Sequence, residues 1–99
     1  QLAQMSDPKR TVYVLHDPPY DTNLDLLFNG QHIGSAAVRR FIEQHQPPAV
    51  LSGHIHESPK VSGKVMDRIG DTVCVNPGQT EAILQAVMIE IPGYRLKLL

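Results

Sequence analysis

The sequence has no tryptophan and one cysteine, Cys74, among its 99 residues. A lone thiol cannot build an internal disulfide framework, and the scarcity of cysteine fits a reducing, cytoplasmic setting. Long apolar runs are missing too. Nothing approaches the roughly 18 residues of a membrane span, and the start carries no secretory signal pattern, so no membrane association is expected. Charge of one sign is not in excess: nine basic residues face ten acidic ones, a formal net charge of -1. Non-specific nucleic-acid binding depends on clustered positive charge and is not expected either. What is there is an ordinary globular mixture, 41% hydrophobic and 19% charged, enough for one compact domain. The first residue, Gln1, is not an initiator, which predicts that these residues belong to something longer.

Residues 11–15 (TVYVL), 49–52 (AVLS) and 72–75 (TVCV) read as strands, rich in β-branched residues and bounded by turn chemistry. Residues 82–91 read as a longer strand, which Pro92-Gly93 turns back toward 94–99 as an antiparallel hairpin. A further short strand is expected within 60–66. One stretch reads as a helix, 36–45. Ser35 can cap its first N–H groups, and Val38, Phe41, Ile42 and His45 form one stripe at spacings of three and four. Arg39, Arg40, Glu43 and Gln44 take the other side, and Pro47-Pro48 stops the helix. The expected class is therefore α/β: a mixed sheet with a right-handed βαβ unit, followed by antiparallel strands.

The chemistry concentrates in five histidines. His16 directly follows the first strand, and His54 follows the second through Ser52 and Gly53. In a parallel α/β sheet, loops beyond the carboxyl ends of the strands form the usual site crevice, so the two side chains should converge. His54-Ile55-His56 adds a pair at i and i+2, which extended backbone would place on one side, about 6 to 7 Å apart. Chance alone would give an H-x-H in such a chain about 0.25 times, and about 0.02 times with the preceding glycine. Gly53 allows the backbone to bend there. Imidazoles so placed suit one ion or two neighbouring ions of Mn, Fe, Zn or Ni. His32, in the loop before Ser35, is a candidate to line the site, whereas His45 reads as a packing residue. Asp17, Asp21 and Asp25 could reach a metal, but their proline and asparagine neighbours make turns the better use. Cys74 reads as a small buried apolar residue.

Taken together, His16-Asp17-Pro18-Pro19, then Gly53-His54-Ile55-His56, then Asn76-Pro77-Gly78 resemble the C-terminal motifs of calcineurin-like metallophosphoesterases of the small bacterial and archaeal type. Gly34-Ser35 leading into a helix and Glu57-Ser58 after the histidines strengthen the resemblance, which spans roughly residues 12–91. It implies a four-layer αββα sandwich, of which residues 1–99 would be the C-terminal portion. It also implies two divalent metal ions and hydrolysis of a phosphate-ester substrate by a hydroxide bridging them. By position, His16 and His54 would hold one metal and His56 the other, while Gly53 and Asn76 would lie at the site without a ligand role. The family's N-terminal motifs D-x-H, G-D-x-x-D and G-N-H-D/E do not occur here. They supply the bridging aspartate and the histidine that protonates the leaving group, so the chain alone is expected to be inactive. Its partner would be the missing N-terminal half, or a second copy through an exposed sheet face.

Two other readings compete. A cupin also carries H-x-H, but Glu57 follows His56 at once and no later histidine exists. A non-catalytic metal-binding or docking module of degenerate phosphoesterase fold remains an alternative. Monoesters, diesters and cyclic nucleotides are all open as substrates.

Overall fold

A computed structural model describes residues 7–78 and 95–98 of the chain. A 3₁₀ turn at Pro8–Arg10 leads into β1 (Thr11–Val14), followed by α1 (Ala36–His45), β2 (Ala49–Leu51), α2 (Ser58–Ser62), β3 (Met66–Ile69), β4 (Thr72–Val75) and β5 (Arg95–Leu98). They form one mixed sheet of order β3-β4-β2-β1-β5. The expected βαβ unit is present: β1 and β2 pair in parallel with α1 between them.

The later strands depart from the expected antiparallel half. Among the described strands only β3 and β4 pair antiparallel; β4 joins β2, and β5 joins β1, in parallel. The difference lies in connection length. Gly70-Asp71 is a two-residue turn and can only reverse the chain, so it makes a local hairpin. The 82–91 strand, and with it the expected C-terminal hairpin, falls outside the described residues. The strand expected within 60–66 is instead α2 followed by β3. Pro59 sits at the start of that helix with φ already set, and Gly63 ends it in the left-handed conformation at φ 76°.

Helix α1 begins and ends as its sequence requires. The Ser35 hydroxyl accepts the Val38 N–H at 3.1 Å. At the other end Gln46 turns left-handed, at φ 48°, before Pro47. Its amide donates to the Ile42 carbonyl at 2.7 Å and accepts the Asp71 N–H at 2.6 Å, tying the helix end to the β3–β4 turn.

Register alignment builds the core. Tyr13, Val50 and Cys74 stand side by side on three adjacent strands. Together with Leu24 and Ile69 they bury Ile42 of α1, and the Tyr13 and Phe41 rings meet edge to face at 5.0 Å. Burial pushes the Cys74 thiol up to about 12, with Asp67 adding to the rise and Arg39 opposing it, so the thiol acts as a buried apolar group. On the opposite face Val12, Ala49 and Val75 are also buried, while Val14, Leu51 and Val73 are partly exposed.

The 15–35 connection is anchored from several sides. Ser35 N–H donates to the Pro18 carbonyl at 2.8 Å, which closes its neck. The buried Ser58 hydroxyl accepts the Leu26 N–H and donates to the Asn23 carbonyl, and Asp67 accepts the Asn23 N–H at 2.8 Å. Arg39 of α1 donates to the Tyr20 and Asp21 carbonyls. Within it, the fully buried Asp25 carboxylate accepts backbone N–H groups from Asp21, Thr22 and Gly34 and the His32 ring nitrogen at 2.6 Å.

Burial alone would push the Asp25 carboxyl up. The His32 bond, then the Thr22, Gly34 and Asp21 N–H groups, outweigh that and hold it below its usual value. A carboxyl whose pKa falls on folding stabilises the fold above its unfolded value and loses that contribution as pH drops through the folded one. Stability should therefore decline below about pH 4. Asp25→Asn should flatten that limb of a urea-unfolding series taken against pH.

Candidate metal centre

The site begins with two strands that run the same way. Because β1 and β2 are adjacent and parallel, the residues that follow them emerge side by side. The Leu15 N–H donates to the Leu51 carbonyl at 2.8 Å, and the Gly53 N–H to the His16 carbonyl at 3.3 Å. This brings the His16 and His54 rings to a centroid distance of 4.3 Å. Asp17 completes the group: its Oδ1 lies 2.8 Å from His16 Nδ1 and 4.0 Å from His54 Nε2. One ligand atom from each of His16, Asp17 and His54 lies within 4.8 Å of the others. All three side chains reach solvent, with 75% of His16, 46% of Asp17 and 49% of His54 exposed, so an ion could enter without the fold opening.

Beside these groups lies a cleft of about 300 Å³, lined by Val14, Leu51 and Val75 at the ends of β1, β2 and β4, with His16, Gly53, His54 and Pro77 around them. The Ser52 hydroxyl on this wall donates to the Val75 carbonyl. The imidazoles thus stand at an otherwise apolar opening.

The bend between β2 and α2 is made differently from the expectation. Strand β2 ends at Leu51, and it is His54, not Gly53, that takes the left-handed conformation, at φ 62°. Residues 54–56 are therefore not extended, and the i, i+2 argument for pairing His54 with His56 does not apply. His56 is exposed and stands outside the three-residue group. A left-handed non-glycine residue carries a local cost of about 1–2 kcal/mol. His54→Gly should accordingly stabilise the fold by about 1 kcal/mol in urea unfolding while weakening metal binding. No gain in stability would show that the neighbouring contacts, not the backbone, set that angle.

The remaining candidates are committed to structure. The His32 ring is held by Asp25, with its other nitrogen 3.5 Å from Asp21 Oδ1 and Tyr20 edge-on at 6.3 Å. Asn76 is fully buried. Its amide donates to the Leu24 and Ile55 carbonyls, and its oxygen accepts the Gly78 N–H at 3.0 Å. It thereby clamps the His54–His56 loop to the 15–35 connection. Gly78 is obligatory in this turn: its φ is +70°, and a Cβ there would come within 2.6 Å of the His56 carbonyl. Sequence reasoning placed Asp17 among turn residues, although its position directly after His16 was the available sign. Nothing in the sequence marked Ser58 as the clasp of the 15–35 connection.

No family model matches the sequence, and no curated protein matches it. One solved structure, of unknown function, is similar to this chain: 29% identity and a TM-score of 0.60 over 79% of its length. The matched part is 28% of that longer chain. This likeness supports the small α/β fold with its mixed sheet and two helices.

Proposed function

We propose that this chain supplies metal ligands to a hydrolase of phosphate esters. The observation that carries the reading is the gathering of His16, Asp17 and His54 beyond the carboxyl ends of two adjacent parallel strands. Two imidazoles are donors that suit Mn, Fe, Zn or Ni, and a carboxylate beside them can orient a ligating ring. The ligand atoms of the three residues lie within 4.8 Å of one another, close to the roughly 4.2 Å that two donors bonded at about 2.1 Å to one cation can span. The order H-D-P-P, G-H-I-H, N-P-G along the sequence adds the resemblance to calcineurin-like metallophosphoesterases. A bound divalent cation would acidify water and neutralise charge developing on a phosphate. His16 and His54 would hold that cation, Asp17 would support them, and the apolar walls of the cleft would limit bulk water on one side.

On this reading catalysis requires the longer protein that the resemblance implies, with a second cation near His56. That protein should hydrolyse an aryl phosphate ester in the presence of Mn²⁺, and the 99-residue chain alone should not. His54→Ala should remove the activity. Full activity in that variant would overturn the assignment. The runner-up is a metal-binding module without turnover, and one observation favours it: His56 stands apart, so the described residues gather one three-residue group and no second. Metal affinity without hydrolysis of any phosphate ester would decide for it.

A further inference from the structure

We propose that Asp17 is a positioning residue for His16: it fixes the ring proton on Nδ1, so that Nε2 is the atom His16 turns to a cation. The inference deepens the metal reading and rests on it.

Distances separate this role from direct ligation. Two donors held by one cation at about 2.1 Å lie about 3.0 Å apart at a right angle and about 3.4 Å apart at a tetrahedral one. His16 Nδ1 and Asp17 Oδ1 are only 2.8 Å apart, the length of a hydrogen bond between a ring N–H and a carboxylate. The proton between them belongs to Nδ1, because an ionised carboxylate can only accept. A neutral imidazole protonated on Nδ1 has its lone pair on Nε2. The same oxygen stands 4.0 Å from His54 Nε2, beyond hydrogen-bond reach, so Asp17 orients one ring and leaves the other unclaimed. The backbone fixes the pair as well. His16 and Asp17 leave β1 together, and the next residue, the buried Pro18, is pinned through its carbonyl by the Ser35 N–H at 2.8 Å. A carboxylate behind a ligating imidazole stops the ring from turning and raises its basicity, and losing one typically weakens metal binding by about 10–100-fold.

The test uses the 99-residue chain and two readouts. Ring ¹⁵N spectra of the metal-free chain at pH 8 should show His16 protonated on Nδ1. Asp17→Asn, whose amide oxygen still accepts, should keep that form, and Asp17→Ala should lose it. Zinc affinity should fall about 10–100-fold in Asp17→Ala and less in Asp17→Asn, with an unchanged cobalt(II) absorption spectrum in Asp17→Asn. Three results would overturn the proposal: His16 protonated on Nε2 in the unmodified chain, a cobalt spectrum altered in Asp17→Asn as loss of a ligand would alter it, or an Asp17→Ala variant with undiminished affinity. Failure of the unmodified chain to bind zinc or cobalt would sink the metal reading separately. The tautomer would then report on the His16–Asp17 pair alone.

Discussion

Asn76→Ala should lower the unfolding free energy by about 3–5 kcal/mol. The fully buried side chain makes three hydrogen bonds, to the Leu24 and Ile55 carbonyls and from the Gly78 N–H. Alanine would leave all three backbone groups without that partner, at about 1–3 kcal/mol each when no water can replace it. A chain of this size holds about 5–10 kcal/mol in total, so the variant should be close to unfolded at 37 °C. The damage should also reach the candidate metal centre. Ile55 follows His54, and releasing its carbonyl loosens the loop that presents the imidazole, so zinc affinity measured at low temperature should fall as well. Urea unfolding checks the first part; a loss under about 1 kcal/mol would mean that water reaches these groups.

Ile42→Ala should cost about 3 kcal/mol and leave zinc affinity unchanged wherever the chain remains folded. Ile42 is fully buried against Tyr13, Val50 and Cys74, where deleted methyl groups leave a cavity that strands on one side and helix on the other cannot collapse. The candidate ligands His16 and His54 lie instead beyond the ends of β1 and β2, and the cleft beside them is walled by Val14, Leu51 and Val75 on the opposite face. Core and site are thus separable. A matched fall in stability and in affinity would show that α1 packing sets the ligand geometry.

What could be read from the sequence follows the range of the forces involved. Helix α1 was legible because its cap, its apolar stripe and its proline stop are all local, and they recur in the structure at Ser35, Ile42 and Pro47. The convergence of His16 and His54 was legible because it needs only two adjacent parallel strands. The geometry of 54–56 was not. The H-x-H spacing assumes extended backbone, and His54 is held left-handed by a loop whose restraints come from Asn76, some 20 residues away. Nor was the structural use of Asp25 and His32 visible, since a buried carboxylate shows itself only once Thr22, Gly34 and His32 have closed around it. Strand β5 was foreseen near its place, but its parallel pairing with β1 is a long-range choice that no local pattern encodes.

The most direct test of the metal centre is a calorimetric titration of the 99-residue chain with zinc, repeated on the His16→Ala/His54→Ala double variant and on His56→Ala. The His16 and His54 side chains are 75% and 49% exposed, so the double variant should stay folded. The account predicts one zinc bound per chain, affinity at least about 100-fold weaker in the double variant, and little change in His56→Ala. Equal affinity in the unmodified chain and the double variant would contradict it.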